Sequence, residues 1–299
     1  MILVTGATGT AGSQVVRALR ARGASIRAFV RDAEKARRLL GDAVELAIGD
    51  FADAFSVRAA LSGTHAMLLS CADDPRRVGW ETSAIDAAAA AGVGRIVKLS
   101  TIGAESGAPV AFWDWHGHVE EHLKSSGVPA VILQSSFYMS NVLAAAEQVA
   151  NDGRLYAPAG EARVAMIDPS DVGAAAAAAL TGTGDEGQTY VITGPEAIRW
   201  GQIAAELSSA IGRKVEFVDV PDEGAKQGMI AAGAPEFVAE QLIKIFAMLR
   251  QGVAEQVTDG VYALTGTRPR SFADFARDHA HLFGGSGTRT TMSEAPTRG

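Results

Sequence analysis

The run Val4-Thr5-Gly6-Ala7-Thr8-Gly9-Thr10-Ala11-Gly12 stands directly after Met1-Ile2-Leu3. A short aliphatic and β-branched strand enters a glycine-rich turn, and Ser13-Gln14-Val15-Val16-Arg17-Ala18-Leu19 follows with helical spacing. That order is what a dinucleotide phosphate site requires. Gly6 lets the backbone turn sharply off the strand, and Gly9 removes a Cβ that would hold a pyrophosphate away. Gly12 lets the helix approach the sheet, and the unpaired N–H groups of Thr10, Ala11 and their neighbours at the helix start then face the phosphates, with Thr8 in the turn beside them.

Downstream, strand-like runs at 2–5, 25–30, 44–48, 66–70, 95–100 and 130–134 alternate with helical segments at 13–21, 33–40, 55–61, 82–91 and 118–125. Such alternation predicts right-handed βαβ units and a doubly wound parallel sheet covered on both faces, an α/β fold. Gly92, Gly94 and Gly127 fall where helices should end in a left-handed residue. Past residue 135 the pattern loosens. Asp168-Pro169-Ser170-Asp171 should cap a helix over 172–180, and 189–193 reads as a strand. Helices are expected at 200–211, 223–232, 236–249 and 272–282, with a strand at 214–220. The expected organisation is a Rossmann domain over 1–139, with 166–194 returning to it, and a smaller α+β substrate lobe from 140–165 and 195–283. The polar stretch 284–299 reads as a disordered tail.

Of the 299 residues, 47% are hydrophobic, enough for a large core without disulfides or metals. A net charge of −7 argues against nucleic acid and anionic membrane surfaces as partners. No apolar run reaches the ~20 residues of a membrane span. The single cysteine, Cys71, fits a reducing compartment, so a soluble cytoplasmic protein is expected. The oligomeric state is open.

The residue after the second strand distinguishes the nicotinamide cofactors. An acidic side chain there would accept from the ribose 2′-hydroxyl of NAD, whereas Arg31, with Lys35 one turn on, suits the 2′-phosphate of NADP(H). The plain alternative is two solvated charges, with Asp32 as a helix N-cap. Asp50, ending the third strand and followed by Phe51, either meets the adenine edge or caps its loop. Ser70 and Cys71, at the carboxyl end of the fourth strand, should line the cofactor groove. Cys71 reads as a packing residue, since no base stands beside it in sequence.

These segments, with Gly49-Asp50-Phe51, Lys98-Leu99-Ser100-Thr101, Glu120-Glu121-His122-Leu123-Lys124-Ser125-Ser126-Gly127-Val128 and Ile167-Asp168-Pro169-Ser170-Asp171-Val172, resemble the NmrA-like group of atypical extended short-chain dehydrogenase/reductases over about 280 residues. The group includes NADPH:quinone reductases, triphenylmethane reductases, polyketide ketoreductases and a non-enzymatic NADP-sensing regulator. Ordinary members of the superfamily use a Tyr-x-x-x-Lys pair, the phenol protonating the alkoxide and the ammonium holding the ribose. Counting back from Glu120 and Leu123 as relatives do places Phe112 at the tyrosine and His116 at the lysine. No tyrosine precedes Tyr138.

The resemblance therefore implies either a reductase with another proton source or a binding protein without chemistry. A quinone or flat aromatic-polyketide ketone eases the first option, because hydride transfer to a conjugated acceptor gives a delocalised anion. Some angucyclinone ketoreductases also lack the pair. Ser100 or Thr101 either polarises a carbonyl or merely ends a buried strand. His116 either holds the ribose and relays a proton or pairs with Glu120 one turn on. Tyr138 is the reserve proton donor. Trp113, Trp115, Phe137 and Met139, with Phe112, form either a wall for a planar ligand or plain core. The His116, His118, Glu120, His122 cluster splits into two pairs on different helix faces, which argues against a metal.

Overall fold

The computed structural model describes residues 1–284. The expected tail, apart from Gly284, lies outside the described residues. In chain order, β1 (Ile2–Val4), α1 (Thr10–Ala21), β2 (Ile26–Val30), α2 (Ala33–Leu40), β3 (Glu45–Ile48), α3 (Ala54–Ala60) and β4 (Ala66–Leu69) lead to α4 (Arg77–Ala90), β5 (Arg95–Thr101), α5 (Ala111–Ser125) and β6 (Ala130–Ser135). A 3-10 turn (Met139–Ala145) passes into α6 (Ala146–Asp152), β7 (Arg154–Ala157) and β8 (Arg163–Val164). Then follow α7 (Pro169–Thr181), β9 (Thr189–Ile192), β10 (Ile198–Arg199), α8 (Trp200–Ile211), β11 (Glu216–Asp219) and α9 (Asp222–Ala231). The described chain ends with α10 (Glu236–Arg250), α11 (Gly260–Thr265), α12 (Phe272–His279) and a 3-10 turn at Ala280–Phe283.

Seven strands form one parallel sheet in the order β3-β2-β1-β4-β5-β6-β9. Ile2 and Val4 pack toward α1 and α7 with Val15, Val16, Leu19 and Val172, while Leu3 faces the opposite layer with Val57, Ile85, Val119 and Leu123. Burial on both faces explains why the strands read as unbroken apolar runs. Strand order reverses between β1 and β4, which opens a crevice beyond their carboxyl ends. Thr5 fixes that point: its Oγ1 lies 2.9 Å from the carbonyls of Leu68 and Ser70 and accepts the Ser70 N–H at 2.9 Å.

The alanine-rich α7 packs chiefly against α1, so its small side chains serve helix–helix as much as helix–sheet contact. A Cβ on Gly173 would stand 2.6 Å from the Gln14 backbone. In the earlier tract only Ala88 is fully buried, and Ala89, Ala90 and Ala91 are exposed. Gly92 and Gly127 adopt positive φ as expected; Gly94 does not. The last helix ends at His279, short of the expected Leu282, because the chain tightens into a 3-10 turn that buries Phe283 and leaves Leu282 exposed.

A separate core gathers Met139, Val142, Leu155, Val164, Trp200, Leu207, Phe246, Phe272 and Phe275. Two small sheets, β7 with β11 and β8 with β10, brace it. Helix α10 reaches from this core to the start of α5: buried Gln241 accepts the Ala111 N–H at 2.7 Å through Oε1 and so caps that helix.

Candidate functional site

One cavity of about 1560 Å³ runs from the turn after β1, past the ends of β4, β5 and β6, to the lobe under α9 and α10. Ligand pockets are typically about 300–1,000 Å³, so this one has room for a dinucleotide and a second molecule together. Gly6, Thr8, Gly9, Thr10, Ala11 and Gly12 line one end. Gly6 has φ +62°, and a Cβ there would come within 2.9 Å of the Ser70 carbonyl oxygen. A Cβ on Gly12 would meet the Gly6 carbonyl oxygen at 2.1 Å. These two glycines let α1 start flush against the turn. Gly9, the N-cap, brings no capping side chain, and no described residue accepts from the N–H groups of Thr10, Ala11 and Gly12. Open donors at a helix start, in a cradle that a side chain would fill, fit a pyrophosphate.

Arg31, Lys35, Asp50, Phe51, Ser70 and Cys71 continue the lining. Arg31 extends into solvent with a guanidinium nitrogen 4.0 Å from Asp50 Oδ2, and so remains available to a phosphate. Asp32 caps α2 by accepting the Lys35 N–H at 2.9 Å. Asp50 Oδ1 accepts the Ala52 N–H at 2.8 Å, so this carboxylate both shapes its loop and faces the cavity. Burial pushes the Cys71 thiol up to about 11, which keeps it protonated and inert at neutral pH.

Toward the lobe the cavity meets Ser100, Thr101, Phe112, Trp113, His116, Phe137 and Tyr138. Ser100 does not present a free hydroxyl: its Oγ donates to Glu120 Oε1 at 2.5 Å, and Gln134 and Lys124 also donate to that carboxylate. The Ser100 proton is thus committed inside the protein, although the residue lines the cavity. Thr101 Oγ1 donates to the Ile102 carbonyl at 3.2 Å. The expected His116–Glu120 pair is likewise absent, since Glu120 turns to Ser100 and Gln134. His116 is buried, and its Nδ1 has neither solvent nor a partner among the described residues. Burial first, then the charges of Lys98 and Arg77, hold the imidazole well below its usual range, so it is neutral at pH 7. Tyr138 Oη lies 3.4 Å from Ser135 Oγ, which itself donates to the Ser100 carbonyl at 3.0 Å. Burial raises the Tyr138 phenol above its ordinary range against the opposing Ser135 contact, so it carries its proton.

Two of the expected aromatic-wall residues are elsewhere. Met139 is buried in the lobe core, where the 3-10 turn points it inward. Trp115 lies outside the cavity lining and stacks on the half-exposed Phe237 of α10 at 5.9 Å, so α10 covers its ring. Phe112 bridges the two sets, with its ring 5.5 Å from Trp115 and 6.1 Å from Phe237. The wall proper is built from Phe137, Trp200 and Phe246, mutually 5.5 to 6.3 Å apart. The imidazoles and carboxylate weighed as a metal cluster disperse: His118 lies 3.3 Å from Asp114, and His122 lies 2.7 Å from Asp86.

Sequence reasoning missed a buried ionic chain behind the cavity. Lys98 Nζ donates to both Glu81 oxygens at 2.9 Å, Arg77 Nε donates to Glu81 at 3.1 Å, and Arg77 Nη1 reaches Asp73 at 2.6 Å. Lys98 and Glu81 are fully buried. Burial alone would raise Glu81, but the Lys98 and Arg77 charges outweigh it and hold the carboxylate below its usual range. Two signals were present: a lysine between Val97 and Leu99 in a central strand, and an Arg77–Glu81 pair at helical spacing. Helix α4 begins at Arg77, five residues before the expected start, because those charges face inward.

A doubly wound sheet, an open phosphate cradle at its switch point and an apolar lobe beyond it define a dinucleotide-binding protein with a second-ligand chamber. The family model described as the NmrA-like family matches residues 1–266, and the chain belongs to that family. It is 39% identical over 284 residues to NAD(P)H azoreductase of Xenophilus azovorans, covering 95% of this chain and 99% of the relative. It is 37% identical over 284 residues to (4-alkanoyl-5-oxo-2,5-dihydrofuran-3-yl)methyl phosphate reductase of Streptomyces griseus, with the same coverage of 95% and 99%. The crystal structure of an NADPH-dependent quinone oxidoreductase complexed with NADPH, from Escherichia coli, superposes with a TM-score of 0.85. It is 29% identical and covers 95% of this chain and 100% of that one.

Proposed function

We propose that this protein is an NADPH-dependent oxidoreductase that passes hydride to a flat aromatic acceptor, a quinone or an aromatic-polyketide ketone such as an angucyclinone, in the cytoplasm. The carrying observation is the continuity of one cavity from the open N–H groups of α1 to the aromatic wall of the lobe. The names of the relatives, an azoreductase and a quinone oxidoreductase, agree with reduction of conjugated acceptors.

The reduced nicotinamide, when bound, supplies the hydride. Thr10, Ala11 and Gly12 would hold its pyrophosphate, and Arg31 with Lys35 its 2′-phosphate. Phe112 offers no proton at the place where the superfamily has its tyrosine. Tyr138 takes that role in this reading, as a protonated phenol on the cavity wall backed by Ser135. Neutral His116, on the cavity lining, stands at the ribose end. The aromatic wall excludes water from the reacting pair.

The test is NADPH oxidation, read near about 340 nm, the absorbance of the reduced nicotinamide carrier, with quinones, azo compounds and polycyclic ketones as acceptors. Turnover with planar acceptors is expected. NADPH binding with no oxidation by any of them would overturn the reading in favour of a cofactor sensor acting through a protein partner.

A further inference from the structure

Among the described residues, every Asp, Glu, Lys and Arg that lines the cavity belongs to the first eighty positions: Arg31, Lys35 and Asp50 at the cofactor end, and Asp73 with Arg77, whose guanidinium is already bonded to Asp73 and Glu81. Beyond Ser100 the lining continues through α5, the 3-10 turn, β7, α9 and α10 without one such residue among those described. Its polar members there are neutral, Ser140, Asn141, Gln148 and Tyr156 among them. The cations next in sequence to lining residues of the lobe helices do not reach it. Lys226 of α9 bonds to Glu236 and Glu240, and Arg250 of α10 holds Asp222 and the Pro158 carbonyl. Lys244 of α10 is exposed and stands outside the lining.

We infer that the substrate half of this cavity selects an uncharged flat acceptor and rejects the phosphorylated or sulfonated counterpart. A phosphate or sulfonate entering it would lose its hydration and find no cation to replace it, and the chain's net charge of −7 adds no compensating field. Aromatic faces at Phe137, Trp200 and Phe246 instead favour a neutral ring system. The lobe thus separates this chain from the Streptomyces griseus relative, which is named for a phosphate ester. The inference rests on the reductase reading for its substrate but is tested without turnover.

The full chain, saturated with 1,4,5,6-tetrahydro-NADPH, whose neutral ring has no hydride to give, is titrated calorimetrically with 1,4-naphthoquinone and with 1,4-naphthoquinone-2-sulfonate. The neutral quinone is expected to bind about 100-fold more tightly or better, the scale set by an unpaired charge in a dry site. Affinities within about threefold of each other, or binding of neither compound, would overturn the inference. Met229→Lys places an ammonium on α9, a helix with no buried residue, and should narrow the ratio at least roughly tenfold. Leu242→Lys does the same from the neighbouring helix α10. An unchanged ratio in both folded variants counts against the selection. Preferential binding of the neutral quinone without its reduction by NADPH would leave the selection standing and remove the reductase reading.

Discussion

Replacing Glu81 by Gln should be among the most damaging single changes in this protein. Lys98 and Glu81 are both fully buried, with Nζ 2.9 Å from each carboxylate oxygen, and Arg77 adds a third contact at 3.1 Å. The glutamine amide would keep the shape but leave Lys98 without a counter-ion, since Arg77 retains only Asp73. Removing one partner of a buried pair costs about 3–5 kcal/mol. For a chain of this size that corresponds to a melting-temperature drop of roughly 10 °C, at about 2–4 °C per kcal/mol. The deficit should depend on pH in a fixed sense. Burial already pulls the Lys98 ammonium down to about 8, with Glu81 opposing, and losing Glu81 lowers it further. The folded variant then sheds that proton at a pH where the unfolded chain still binds it, so its stability rises with pH before that of the parent does. Urea denaturation of both proteins between about pH 6 and about pH 8 should show the gap closing toward the alkaline end. A loss below about 1 kcal/mol, or a gap that widens with pH, would refute the picture of an ion pair held dry.

Arg31→Ala should weaken NADPH by roughly 10- to 100-fold through loss of charge-assisted hydrogen bonds while leaving NADH nearly unaffected; equal losses for both coenzymes in calorimetry would exclude a 2′-phosphate contact. Tyr138→Phe should lower kcat by about 100-fold or more with NADPH affinity retained, and an unchanged kcat would take the proton-donor role away from this phenol. Asp171, pushed up to about 6 by burial, with the Arg270 N–H opposing and Asp168 adding, costs stability once it ionises. The folded chain keeps this proton above the unfolded value of about 3.9, so the group's contribution is full below that and lost as pH rises through the folded value. Asp171→Asn, whose amide oxygen still accepts from Arg270, should therefore raise Tm at about pH 7.5 and give no gain at about pH 3.5. A gain of the same size at both would sink the titration argument.

The parallel sheet and its cradle were legible in the sequence because they depend on local rules. Glycine spacing, strand–helix alternation and the Asp32 and Asp168 caps are properties of short segments, and all twelve residues expected around the cofactor line the cavity. The substrate chamber was only half legible. Its wall joins Phe137, Trp200 and Phe246 from three elements distant in sequence, brought together by hydrophobic burial that no single segment encodes. The helical pattern of α5 gave Phe112 and Trp115 equal standing; both meet Phe237 of the docked α10, and only Phe112 still lines the cavity. Ser100 illustrates the same division. Its position at a strand end was readable, but the fate of its proton depended on Glu120 arriving from a helix twenty residues away. Residue order set which groups could meet a nucleotide; packing among distant elements set which side chains still had a free proton, a counter-ion or an open face when they got there.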